Sequence, residues 1–150
     1  MAKFTFRLAT LLKIREAARD ERRAELAQAY QADAALQEEH RRLAELLAQM
    51  ADVYRNASAP GVIDVERLLE TQRHDMLVRV QIQYLEKQRA AVAEEIERRR
   101  AVLAEANRQV KVLENLRERQ LERHREEEGL RERKQLDEAA LIRSVLEVPR

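Results

Sequence analysis

The sequence predicts an all-α protein, a two-helix antiparallel coiled-coil hairpin whose longer second helix overhangs at its C-terminal end. Three observations carry this prediction. From Ile63-Asp64-Val65 to the neighbourhood of Val148-Pro149 there is no proline and a single glycine, Gly129, and from Leu8 to about Arg55 neither residue occurs. Between these runs sits Asn56-Ala57-Ser58-Ala59-Pro60-Gly61, the only cluster of turn formers in the chain. Within the runs, apolar residues return at alternating steps of three and four, the spacing that keeps one stripe of a helix against a partner helix. With 38% charged and 3% aromatic residues in 150, the chain has material for a narrow buried seam rather than a compact interior.

The first helix is expected over about residues 6–55, the turn over 56–63 and the second helix over about 64–146, all within one coiled-coil domain spanning 1–150. Ahead of the first helix, Phe4 and Phe6 alternate on an extended lead-in. They either staple the start of helix one onto helix two or dock a partner. The seam of the first helix is cleanest at Leu36, His40, Leu43, Leu47, Met50 and Tyr54. Earlier, Arg15, Arg19 and Arg22 fall on it, so the first half is expected to pack loosely or against something else.

Asp64 is placed to cap the second helix by accepting from its free N–H groups, with Ile63 and Leu68 spaced as a hydrophobic staple. The second seam reads Ile82, Leu85, Arg89, Val92, Ile96, Arg99, Leu103, Ala106, Val110 and Leu113. A turn near Pro60 brings residue i opposite roughly 120 minus i, so that Leu8 faces the region of Val112. At ~1.5 Å per residue the helices are ~70 and ~120 Å long, which leaves about thirty residues without an intramolecular partner.

The seam stops there. From Arg117 to Gln135 only Leu121 and Leu130 are apolar, while Glu and Arg or Lys at i,i+3 and i,i+4 support an exposed helix. Gly129 costs about 1 kcal/mol relative to Ala at such a position and marks a hinge or fraying point. Apolar residues return at Leu136, Ala139, Ala140, Leu141, Ile142, Val145 and Leu146, and with nothing in the chain opposite them another protein is expected to cover them.

Several functions are excluded on composition. Formal charge is +1, from 29 bases and 28 acids whose signs alternate along the chain, so no field draws it to nucleic acid, and Arg98-Arg99-Arg100 splays over several helix faces as a solvated surface. Met1-Ala2-Lys3-Phe4-Thr5-Phe6-Arg7 has no apolar stretch fit for a secretory signal, and no segment inserts in a membrane. Absence of cysteine removes disulfides and thiolate zinc sites and suits a reducing compartment, favouring the cytoplasm. Two glycines cannot build a phosphate-cradling loop. The residues three before His40, His74 and His124 are Gln37, Thr71 and Leu121, so the Glu-x-x-His pairs of metal-binding bundles are missing. His40 is then a tolerated polar seam position and His124, beside Glu127 and Glu128, an exposed ion pair. Ser58 and Ser144 have no histidine and acid spaced to activate them. The chain is expected to be no enzyme and to carry no cofactor or metal.

Two stretches then match together: the opening Phe4-x-Phe6-Arg7-Leu8-x-x-Leu11-Leu12-x-x-Arg15-Glu16, and the later Val112-Leu113-Glu114-Asn115-Leu116-Arg117-Glu118-Arg119 with Glu132, Lys134 and Leu136-Asp137-Glu138-Ala139. In order, spacing and two-helix layout the chain resembles the FliJ family of flagellar export proteins over essentially its full length. The resemblance implies a non-catalytic, stalk-like component of the type III flagellar export apparatus, cytoplasmic and peripherally associated with the inner membrane. It implies an antiparallel coiled coil similar to the gamma stalk of rotary ATP synthases, whose free ends enter the export ATPase ring and couple it to the membrane-embedded export gate. Some members also handle export chaperones. Carried onto this sequence, the ATPase contact comprises Phe4, Phe6, Arg7, Leu8, Leu11, Arg15, Leu113, Leu116, Arg117, Arg119, Leu136 and Asp137. The family's gate contacts lie toward the middle of the helices and the turn, where no motif here names residues.

Two other classes of function compete. In a generic scaffolding or dimerising coiled coil the overhanging halves of two chains would pair, and sedimentation would show a dimer where the stalk reading favours a monomer. An electrostatic nucleic-acid binder would lose affinity steeply with salt, and the near-neutral charge argues against it.

Overall fold

The computed structural model describes residues 3–146 and contains two helices, α1 (Ala9–Ala57) and α2 (Val65–Leu146), packed against each other as a two-helix hairpin with no strand among the described residues. The expected stop near Val148-Pro149 lies outside the described residues. Compactness divides the chain into a terminal unit, Met1–Asp20 with Glu105–Arg150, and a turn unit, Glu21–Ala104.

In the turn unit the helices run antiparallel around Leu43, Met50, Val78 and Leu85, flanked by Leu36, Leu46, Leu47 and Ile82. Leu43 and Val78 are each only 2% exposed. Burying a side chain of this kind contributes about 1.5–3 kcal/mol. Every α2 position expected on the seam from Ile82 to Leu103 is buried or half-buried, so the three-four spacing identified the packed stripe. On α1, Tyr54 departs from the expectation and stays exposed, while Val53 and Ala57 are half-buried. Near the end of the hairpin a small side chain fits between the helices, and the tyrosine keeps its hydroxyl in water.

Helix ends follow local chemistry. Asp64 caps α2: its Oδ1 accepts the Arg67 N–H at 3.1 Å, and its carbonyl accepts from Leu68 at 3.1 Å. Ile63 remains 62% exposed, which leaves little of the expected staple. Ser58 closes α1 by donating both its N–H and its hydroxyl to the Tyr54 carbonyl, at 3.1 and 2.8 Å. Gly61, at φ 129°, then takes the conformation that L side chains avoid.

The register differs from the one expected about Pro60. Asp33 pairs with Arg89 at 3.5 Å and His40 with Glu86 at 3.6 Å. The Arg99 guanidinium donates to the Glu25 carbonyl. A fold about residue 60 would have set these α1 residues near 87, 80 and 95, so the partners lie two, six and four residues further along α2. The cause is the turn, because α1 continues to Ala57 and α2 does not begin until Val65.

Polar side chains share this seam with the apolar ones. Arg99 also donates to Glu95 Oε1 at 2.7 Å, and Arg100 donates to the Tyr30 hydroxyl at 2.8 Å with its guanidinium 5.9 Å from the ring centroid. Arg22 occupies a seam spacing but turns its head outward to Glu25 at 3.0 Å, keeping its apolar stem on the helix.

Candidate partner interface

The terminal unit begins with a lead-in that is not helical. Phe6 stands ahead of α1, where its carbonyl accepts the Ala9 N–H at 3.2 Å, and the first helical bond runs from Leu12 N–H to the Leu8 carbonyl at 2.9 Å. This path turns the Phe6 ring back onto the helices. It is buried with Leu12 and Val110, and Phe4 and Leu113 pack on the edge of the cluster. The Phe4 ring continues along α2 to His124, centroids 5.7 Å apart at 41°. His124 Nε2 lies 3.5 Å from Glu128 Oε1. The contact expected between His124 and its acidic neighbours is made to Glu128, half-buried beside Phe4 rather than fully exposed.

The structure sorts the twelve candidate residues into four groups. Phe4, Phe6 and Leu113 are brought together in the apolar cluster. Of the two residues beside it, Arg15 donates to Gln109 Oε1 at 2.9 Å, and Arg117 lines a shallow groove with Phe4, Thr5, Phe6, Leu12 and Glu16. Arg7, Leu8, Leu11, Leu116 and Arg119 face solvent around this cluster. Leu136 and Asp137 stand apart from it, about 28 Å along α2 from Arg117. The candidates therefore do not form one continuous patch.

Arg15, expected on the seam, is exposed and reaches sideways to Gln109, while Leu12 fills the seam and Glu16 and Arg19 sit half-buried. Gln109 in turn donates to Glu105 at 3.3 Å, and Glu105 accepts two bonds from Arg108, both at 3.0 Å. These bonds, with Arg108 first, hold the Glu105 carboxyl below its usual range. Early α1 is thus stitched by polar side chains at its flank and by the aromatic lead-in at its start.

Beyond this unit's apolar cluster, every residue of α2 from 131 to 146 is exposed. Leu136, Leu141, Ile142, Val145 and Leu146 retain 62–79% of their accessible surface. The helix passes through Gly129 without a break, so the hinge expected there is absent from its secondary structure. A Cβ at Gly129 would meet nothing within 4 Å, so no packing requirement selects glycine at this position.

Sequence reasoning missed Leu12, which anchors Phe6, and Ile14, 60% exposed beside Leu11. The spacing Leu11, Ile14 on the outer face of α1 was the available signal for the second. Among the described residues no group of His, Cys, Asp and Glu could hold a metal ion, and no helix is long and apolar enough to cross a membrane. The arrangement offers exposed apolar and charged surface for binding.

Comparison with protein families matches residues 4–146 to the family described as the flagellar FliJ protein. No curated protein and no solved structure matches the chain.

Proposed function

The chain belongs to the FliJ family, whose role is associated with flagellar export, and on that premise we propose that it is a non-catalytic, stalk-like component that binds the export ATPase ring through its terminal unit. The observation that carries this reading is the stretch of α2 from 131 to 146, helical and wholly exposed, with five large apolar side chains and no partner element against them among the described residues. A helix with exposed leucine, isoleucine and valine among arginines and glutamates is suited to burial in a protein cavity lined by both kinds of surface. Exposed Leu116, Arg117 and Arg119 add contacts nearer the lead-in. Phe4, Phe6 and Leu113 act differently in this reading: they hold the lead-in in place and present their neighbours. Coupling to the membrane-embedded export gate and handling of export chaperones belong to the same proposal, as does a cytoplasmic place at the inner-membrane face of the apparatus.

Mixing the purified protein with the cognate export ATPase and following oligomer assembly and ATP turnover tests the proposal. Wild type is expected to promote both. Leu116→Ala with Arg117→Ala, or Leu136→Glu with Ile142→Glu, is expected to weaken the contact about tenfold or more, the ~1.4 kcal/mol scale of a lost anchor. Assembly and turnover unaffected by wild type would reject the reading.

A further inference from the structure

In the terminal unit the two flanks of the seam differ in character. The Arg15 guanidinium donates to Gln109 Oε1 at 2.9 Å, which defines one flank as the side where these residues meet. At about 100° per residue from the buried Leu12 and Val110, Leu11 and Ile14 of α1 and Val112, Leu113 and Leu116 of α2 turn to that same flank, with Leu8 at its floor. Leu8, Leu11, Ile14, Val112 and Leu116 retain 36–61% of their accessible surface. Between the bond from Arg15 to Gln109 and the turn before α1, no charged side chain interrupts this strip. Arg117, the nearest, lies in the opposite groove beside Lys13 and Glu16.

Charge separates the flanks as well. Arg7 stands one turn before Leu11, and Arg119 and Arg123 follow Leu116 along α2. None of these three makes a hydrogen bond or ion pair among the described residues, and Arg15 meets only an amide. Between residues 105 and 123 the acid on this flank is Glu105, which Arg108 and Gln109 already hold. The opposite flank carries Lys13, Glu16, Asp20, Lys111, Glu114 and Glu118, with both signs interspersed. An apolar strip with unanswered cations at both ends is matched by an apolar strip bordered by anions. Both edges of the strip are helices whose backbone bonds are internal, so no β-strand can add to them, and the groove between two helices is filled by a third. From Gln109 to Arg123 the flank runs about 21 Å, roughly four turns of a helix laid along it.

We propose that this flank of the terminal unit receives an acidic amphipathic helix of a partner protein, its apolar side on Leu8, Leu11, Leu113 and Leu116 and its carboxylates toward the arginines at the two ends. That the export ATPase supplies this helix rests on the stalk reading; the chemistry of the patch does not.

The probe is a synthetic peptide of about 18 residues with Leu at alternating steps of three and four and Glu at the flanking positions, set against the same peptide with Lys in place of Glu. The full chain is expected to bind the Glu peptide at least about tenfold more tightly than the Lys peptide, with the preference shrinking as salt is added. Ile14→Glu with Val112→Glu should remove that binding with unchanged helicity, since both side chains are exposed in the hairpin. Arg7→Glu with Arg123→Glu should reverse the preference between the peptides, whereas Lys13→Glu on the other flank should leave it as it is. Failure to bind either peptide, equal binding of both, or a preference untouched by Arg7→Glu with Arg123→Glu would each overturn the inference, as would binding to phosphatidylserine vesicles in place of the Glu peptide. The same variants in the ATPase assembly assay separate the two readings. A chain that prefers the Glu peptide but leaves ATPase assembly unaffected supports the patch and rejects the stalk reading. Assembly that persists through both paired substitutions keeps the stalk reading and overturns this one.

Discussion

Phe6 is buried although it precedes α1, because its carbonyl closes the first turn and directs the ring between Leu12 and Val110. Replacing it with Ala should cost about 3 kcal/mol, the lower end for a lost core aromatic. The loss should be local: hydrogen exchange should rise at Leu12 to Glu16 while amides around Leu43 and Leu85 keep their protection. Phe4 and Phe6 were legible as apolar residues at alternate positions. Their partners were not, since contact with His124 and Val110 depends on the register between helices. The arginines illustrate the same division. Arg15 and Arg22 hold seam spacings in the sequence, yet both are exposed, because the long stem lets the head leave the seam for Gln109 or Glu25. Carboxylates carry the pH dependence of these contacts. Glu95 is held below the usual carboxylate range by hydrogen bonds from Arg99 and then Arg98, Glu39 by Arg42, and Glu105 by Arg108 and then Gln109. Each folded value is lowered, so the contribution is complete above the unfolded glutamate value and is lost as pH falls through the folded one. Thermal melts should therefore show a modest fall in Tm on acidification below the ordinary glutamate range, and Glu95→Gln with Glu39→Gln and Glu105→Gln should flatten it.

For the elements, caps and glycines decide more than the helical interiors. Asp64→Ala should destabilise the start of α2 by about 1 kcal/mol through loss of the bond to Arg67 N–H. The two glycines should respond oppositely to alanine. Gly61 has φ 129°, so Gly61→Ala strains the turn and should cost about 1 kcal/mol or more. Gly129 lies in an unbroken helix with open space at its Cβ position, so Gly129→Ala should add about 1 kcal/mol to helix stability. Denaturant titration followed by circular dichroism measures all three. Both helices were legible from the absence of Gly and Pro and the three-four spacing. The end of α1 was not, because Asn56 and Ala57 are compatible with helix and turn alike and Ser58 settles the matter by folding back on Tyr54.

Across the whole molecule, the unused surfaces are as informative as the packed ones. The stretch from 131 to 146 is exposed along its whole length and carries five large apolar side chains. The expected outcome is that Leu136→Glu with Ile142→Glu impairs ATPase assembly while leaving the helicity unchanged, since both side chains are exposed. The sequence by itself determined the helices, the turn, the packed stripe of α2 and the family resemblance, because periodicity and backbone-breaking residues are local properties of the chain. Only the tertiary structure decided the register, the burial of Phe6, the contact between Phe4 and His124 and the division of twelve candidate residues into buried, flanking, solvent-facing and remote groups. Those depend on how far α1 continues before it turns, and a shift of one helical turn changes every pairing along the seam while leaving the spacing of each helix the same.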